Sequence, residues 1–256
     1  MYNPIYMKVL GFMPLHYGRE YLYATLAAVG PFIDQFLIVY TSTPSYGHVG
    51  DLPNPETQEE LYQIAKDTLG NKLIWNTIKH NSVEGNHRNQ VLKYLGGFDM
   101  IFSIDGDEVH DPGLVPEMLK DAWSNPCKTV GLGGDRWYHF WRSFNECHRD
   151  GFYPIRFQKK GGIPFNAADG IIHSGKVYHM GYAQSEEVTR YKMSCHGHKG
   201  EISPTYLEDK WINYKKGETT CMHPASNGIW VETEPFDRFT MPDILKNHAN
   251  FNKERI

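Results

Sequence analysis

Over its first 110 residues the chain alternates short apolar runs with amphipathic stretches, separated by Gly, Pro, Asn or Thr. Met7–Met13 is an apolar run ending at Pro14 and reads as a first buried strand. Gly18–Val29 carries Leu22, Leu26 and Val29 at helical spacing and is closed by Gly30-Pro31. Phe36–Tyr40 is rich in β-branched and aromatic residues and reads as a second strand, followed by a Thr/Ser/Pro/Gly loop to Pro55. Thr57–Leu69 reads as a helix whose cap Thr57 has a capping-box partner in Glu60. Lys72–Ile78 is a third strand. Glu84–Leu95 is an amphipathic helix with Val91, Leu92 and Leu95 on one side, and Met100–Ile104 is a fourth strand. Strands alternating with helices at this spacing predict an α/β fold with a largely parallel, doubly wound sheet. After Asp107 the pattern becomes mixed α+β, and the last stretch is irregular and Pro-rich.

Such sheets bind ligands beyond the carboxyl ends of their strands. Those ends are Pro14–Tyr17, Thr41–Ser45, Lys79–Asn81 and Asp105–Glu108, so Pro14, Leu15, His16, Ser42 and Gly106 are candidate ligand contacts. Arg88, near the start of the helix before the fourth strand, is placed to meet a phosphate with the helix dipole assisting. The organisation expected is a ligand-binding half over 1–110, a second half of the same domain over 111–200, and a segment over 201–256 that packs on it or acts as a lid.

Composition narrows the classes. The chain has 256 residues with 26 Lys+Arg against 30 Asp+Glu, a formal net charge of −4, which argues against a protein that holds nucleic acid by bulk charge. Cys127, Cys147, Cys195 and Cys221 lie far apart with no CxxC pair, so neither a zinc ribbon nor a dense disulfide framework is expected. The N-terminus lacks a basic stretch followed by an apolar one, and the longest apolar stretch, Tyr21–Ile33, is too short to span a bilayer. A cytoplasmic protein with no transmembrane segment is the expectation.

Asp105-Gly106-Asp107-Glu108 closes the apolar MIFSI run. Carboxylates at i and i+2 can point the same way at a strand end, and they repel each other unless a cation is present. Oxygen donors so arranged suit Mg²⁺ or Mn²⁺, which also bind substrate phosphates. The spacing of a calcium-binding loop is absent. A second segment stands out for its aromatics: Arg136, Trp137, Tyr138, His139 and Trp141 offer ring faces and a cation for a sugar or an exposed base. Cys195-His196-Gly197-His198-Lys199 has metal-like letters but no second pair at zinc spacing. Met222-His223-Pro224 and Arg238–Pro242 are read as part of a segment folding back over the site.

An α/β half whose last apolar strand ends in Asp-x-Asp resembles the GT-A class of nucleotide-sugar glycosyltransferases, particularly the family-2-like ones. Three segments strengthen the resemblance, which covers roughly residues 5 to 195. Glu84-Gly85-Asn86-His87-Arg88-Asn89 is similar to that family's "ARN" helix start. Tyr153-Pro154-Ile155-Arg156-Phe157 followed by Lys159-Lys160 is similar to its R-x-F-x-K strand, and Val177-Tyr178-His179-Met180-Gly181-Tyr182 to its metal-ligating His segment. The chain departs from the family where its first strand ends in Leu15-His16-Tyr17-Gly18 instead of Asn-Glu, and where its second offers Tyr40-Thr41-Ser42 instead of an acid that holds the base.

The resemblance implies a metal-dependent transfer of a sugar from a nucleoside-diphosphate sugar, UDP- or GDP-linked, to an acceptor hydroxyl with inversion. Asp107 would ligate Mn²⁺ or Mg²⁺, Asp105 would contact the ribose or the metal's waters, and His179 would be a further metal ligand. An inverting enzyme needs a general base; Asp169 is the first candidate, with Glu208, Asp209 and Asp135 as rivals. The acceptor would be a glycan, lipid or small molecule, held by the Arg136–Trp141 segment. Alternatives are a modified DNA base as acceptor with Arg136–Arg149 as its groove, a nucleotidyltransferase, and a binding module without activity. The Gly-rich loop and Lys expected of a nucleotidyltransferase are missing after the first strand, and the intact Asp-x-Asp with His179 argues against the inactive module.

Overall fold

The computed structural model describes residues 7–44, 50–79, 87–133, 136–149, 154–161, 168–195, 203–215 and 233–256. Strands β1 (Val9–Leu15), β2 (Gln35–Thr41), β3 (Leu73–Ile78) and β4 (Met100–Ser103) pair in parallel in the order β3-β2-β1-β4. Beyond β4 the sheet continues through β9 (Ile155–Lys159), antiparallel to both its neighbours, then β6 (Thr129–Leu132) and β10 (Gly170–Ile172). The α/β class with a largely parallel first half is therefore observed.

Both faces of this sheet are covered, which is why its strands are nearly continuous apolar runs. Val9, Met13, Phe36, Ile38 and Phe102 face the main core, together with α1 (Arg19–Val29) and α2 (Gln58–Leu69). Leu10, Phe12, Leu37, Val39 and Ile101 point to the other face, against Val91, Leu92 and Leu95. The α2 start is as the sequence implies: Thr57 accepts from the Glu60 backbone, and Glu60 reaches back to the Thr57 N–H.

Two elements differ from expectation. The first strand ends two residues later, at Leu15, because Pro14 does no harm there. Its missing N–H faces the β4 side, where pairing has already stopped at Phe12↔Ser103. Of the helix expected over Glu84–Leu95, residues 84–86 lie outside the described residues, His87 and Arg88 are α-helical, and Asn89–Gly97 is a 3₁₀ helix. Leu92, Leu95 and Phe98 recur every three residues, which makes one stripe on a three-residue turn.

After the acidic turn the chain enters a second sheet, in the order β12 (Glu234–Pro235), β8 (Glu146–Arg149), β7 (Trp137–Trp141), β11 (Val177–Tyr182), β5 (Glu108–His110). Here β11 is parallel to β7 and antiparallel to β5. The turn is thus the corner between the sheets. Helices α3 (Val115–Ser124), α4 (Glu186–Cys195) and α5 (Asp243–Lys246) follow in the second half, with a π-helix over Leu207–Ile212. Residues 233–256 pack on the domain: Met241, Leu245 and Phe251 join the main core, and His248 stacks on Tyr21 at 4.7 Å.

Candidate functional site

A cleft of about 170 Å³ opens at the carboxyl ends of β1, β2 and β4. It is lined by Pro14, Leu15, His16, Tyr17, Thr41 and His87, together with Arg88, Asp105, Gly106 and Asp107. Gly18, at φ 140°, turns the chain from β1 into α1 at its base. The N–H groups of Gly18 and Arg19 donate to the buried Glu56 carboxylate at 2.6 and 2.9 Å, so an acid from outside caps α1. Burial raises the Glu56 pKa despite these bonds. His16 is locked in place. The Thr41 carbonyl can only accept, so Nδ1 carries the proton at 2.7 Å, and Nε2 accepts the Tyr191 hydroxyl at 2.7 Å.

The three acids of the turn have separate partners. Asp105 lies 2.9 Å from Arg88 and 3.4 Å from Arg156. Burial pushes its pKa up, but the two guanidinium groups outweigh it and hold the carboxyl well below its usual range. Glu108 is buried, with Oε1 2.5 Å from Arg156 and Oε2 accepting the Asp105 N–H at 3.0 Å. Burial and the Asp105 charge raise it, against the pull of Arg156. The Arg156 guanidinium lies 4.9 Å from the Trp137 ring centroid. The Arg of the R-x-F-x-K segment therefore braces the acidic corner, while its Lys159 donates to the carbonyls of Trp123 and Asn125 at the end of α3.

Asp107 faces His179. β5 and β11 pair Glu108 with His179, and the Met180 N–H donates to the Asp107 carbonyl at 2.8 Å, which brings the side chains together. Asp107 Oδ1 lies 3.4 Å from His179 Nε2. Its other oxygen, Oδ2, accepts from Gln184 at 3.1 Å and lies 3.7 Å from Lys192. Burial raises the Asp107 pKa, but His179 and Lys192 bring it down to about 2. Two donors of one octahedral Mg²⁺, each at 2.0–2.1 Å, lie about 3 Å apart. The pair therefore has the separation of neighbouring ligands, and the set of one oxygen and one nitrogen suits Mn²⁺ or Mg²⁺. Gly181 keeps the space at Nε2 open: a Cβ there would lie 2.9 Å from His179 Nε2 and 3.1 Å from Lys192 Nζ.

Asp105, Asp107 and His179 do not converge as three. The Asp105 oxygens meet Arg88 and Arg156, and among the described residues no group of three or more His, Cys, Asp or Glu is arranged to hold a metal by itself. A metal held here would take its remaining ligands from substrate phosphate and water. Pro14, Leu15, His16, Arg88 and Gly106 line the cleft, whereas Ser42 is exposed and Thr41 lines it instead.

Asp169 is exposed, at the amino end of β10, with its N–H donated to Thr129. The register sets it three strands from β4, level with Ile101. With strands ~4.8 Å apart and ~3.3 Å per residue, that is roughly 20 Å from the end of β4, on the wrong end of the sheet for proton transfer in the cleft. Glu208 is paired with Arg190 at 3.0 Å, and Asp135 lies outside the described residues. The aromatic segment is strand β7. Trp137 and Trp141 are each 3% exposed and belong to the interior, which leaves Arg136, Tyr138 and His139 accessible. Glu84–Asn86, Tyr153, His196–Lys199 and Met222–Pro224 also lie outside the described residues. Gln184, Lys192, Tyr191 and Glu56 escaped sequence reasoning: each is an ordinary polar letter on or before a helix, and only the fold brings it against a residue of the cleft, Asp107, His16 or Gly18.

No family model and no curated protein matches the chain. Among solved structures, S. aureus TarS residues 1–349 in complex with UDP-GlcNAc is similar over 50% of this chain and 34% of that one, at 17% identity and TM-score 0.36. Glucosyl-3-phosphoglycerate synthase from Mycobacterium tuberculosis, in complex with Mn²⁺, UDP-glucose and phosphoglyceric acid, is similar over 53% of this chain and 44% of that one, at 10% identity and TM-score 0.34. The match thus spans less than half the length of either protein. Likeness of this degree leaves function to be read from the chain's own side chains.

Proposed function

We propose that the protein is a GT-A-type glycosyltransferase that binds a UDP- or GDP-sugar in the cleft and moves the sugar to an acceptor hydroxyl with the help of Mn²⁺ or Mg²⁺. The observation that carries this reading is the convergence of Asp107 Oδ1 and His179 Nε2 at 3.4 Å, on the rim of a cleft at the carboxyl ends of parallel strands. Asp107 and His179 would hold the metal. Bound there, the metal would act as a Lewis acid that stabilises negative charge on a departing nucleoside diphosphate. Arg88, lining the cleft at the start of the 3₁₀ helix, supplies a fixed cation for the same phosphates. Arg156 lies behind and balances Asp105 and Glu108, so the corner keeps its shape without excess negative charge.

The acceptor proposed is the hydroxyl of a glycan, lipid or small molecule. A DNA acceptor would require a basic groove along Arg136–Arg149. Arg142 instead donates to the Trp211 and Ile212 carbonyls and stacks over Trp211, and Arg149 pairs with Glu234.

Thermal unfolding in UDP-, GDP-, CDP- and dTDP-sugars, with and without Mn²⁺, tests the proposal. One of the first two should raise Tm only when Mn²⁺ is present, and Asp107→Asn should abolish that rise. No metal-dependent stabilisation by any of the four would sink it.

A further inference from the structure

We propose that His139 is a positioning residue that holds the His179 imidazole in line with Asp107 in either tautomer; this rests on the reading that His179 ligates a divalent ion. The two residues are direct partners across the parallel pair β7 and β11. Their Nδ1 atoms are 2.7 Å apart, with ring centroids at 4.7 Å and planes at 71°. Trp137 packs edge-on against His179 at 6.2 Å and restricts its turning.

A bond between two imidazole nitrogens needs one proton, neither two nor none. A ligating Nε2 must be bare, so the single proton of a neutral His179 then sits on Nδ1 and is donated to His139 Nδ1. His139 in turn carries its own proton on Nε2. Without a cation the other arrangement is available: His179 Nε2–H faces Asp107 Oδ1, and its Nδ1 accepts from His139 Nδ1–H. A backbone carbonyl or a carboxylate behind His179 could only accept and would fix one tautomer. An imidazole can do either at the same atom, so this ring is held in line with Asp107 both before and after a cation arrives. Gln184 and Lys192 act in the same sense on Asp107 by engaging Oδ2 and leaving Oδ1 toward His179.

Mn²⁺ titrations followed by electron paramagnetic resonance, in the presence of UDP or GDP, test this on the full chain and on His139→Ala and His139→Gln. The Ala variant should lose roughly 10- to 100-fold in Mn²⁺ affinity, the usual effect of removing an outer partner. The Gln variant, whose amide donates or accepts, should recover most of it. On the wild-type chain, ¹⁵N imidazole shifts in the presence of Mg²⁺ should show the His179 proton on Nδ1. An Ala variant with wild-type Mn²⁺ affinity would overturn the positioning role alone, whereas a His179 proton that stays on Nε2 with Mg²⁺ bound would overturn ligation by Nε2 and the positioning role with it. A wild-type chain that takes up no Mn²⁺ with either nucleotide would instead overturn the metal reading, and the positioning role with it.

Discussion

Gly181 shows how one position in the segment around His179 acquires a physical reason. It is not among the glycines at positive φ, so its backbone would accept alanine. What excludes alanine is space, because the new Cβ would press on His179 Nε2 at 2.9 Å and Lys192 Nζ at 3.1 Å. The lysine head can swing aside. The imidazole cannot, being held by His139 behind it and Trp137 beside it. Gly181→Ala should therefore cost about 1–3 kcal/mol of stability by overpacking. It should also weaken Mn²⁺ uptake with nucleotide by at least about tenfold, since a displaced donor is a lost one. Chemical denaturation and the Mn²⁺ titration measure the two effects separately. A variant that folds normally and binds Mn²⁺ normally would mean that Nε2 does not face the ion.

At the scale of elements, α2 was fully legible because its signals are local. Thr57 and Glu60 lie three residues apart, and the capping box they imply is present. Thr57→Ala should cost about 1 kcal/mol, lowering Tm by roughly 2–4 °C in a chain of this size. A differential scanning calorimetry trace unchanged by the substitution would show that α2 is held by packing alone. The parallel half was legible for the same reason: buried strands and turn residues are written in neighbouring positions. The segment over Asn89–Gly97 was misread because Val91, Leu92 and Leu95 satisfy a 3.6-residue period almost as well as a three-residue one. Only the addition of Phe98 to the stripe separates the two. Asp107, Arg88 and His179 could be singled out in the sequence, the first two at a strand or helix end and His179 by its neighbours. The remoteness of Asp169, whose Asp-Gly turn looks like many others, and the placement of Lys192 and Gln184 beside Asp107 could not. The distance of Asp169 from the cleft, and the nearness of Gln184 and Lys192, depend on pairings between residues far apart in sequence. The aromatic run from Trp137 to Trp141 was open to two readings because a strand buried on one face and a ring-lined surface use the same residues.

Across the whole molecule, the corner where the sheets meet gathers buried ionisable groups whose pKa shifts have opposite consequences for stability. Asp107, down to about 2, and Asp105, also lowered, contribute stability that is complete above the ordinary carboxylate pKa and lost as pH falls below it. Glu56 and Glu108 are raised, so their burial weakens the fold at neutral pH and is relieved as they take up protons on acidification. His110 belongs to neither pair. It is fully buried on β5, edge-on to Phe102 at 4.9 Å, and neither ring nitrogen has a hydrogen-bond partner among the described residues. Burial, aided by the Arg156 charge, lowers its pKa to about 3. The unfolded chain would protonate His110 near 6.5. Between these values the unfolded state binds the proton that the folded state refuses, so stability falls with falling pH by up to about 1.4 kcal/mol per unit. Above about pH 7 the group adds no pH dependence. His110→Leu keeps an apolar side chain of similar size against Phe102 and removes the titration, while the carboxylates stay common to both proteins. The Tm of the variant minus that of the wild type should accordingly be flat from pH 8 to 7. By pH 5 it should have grown by about 2 kcal/mol of stability, or roughly 4–8 °C. A difference that stays flat down to pH 5 would mean that the folded protein accepts a proton at His110, and the buried, unpartnered imidazole would then not be a source of acid lability.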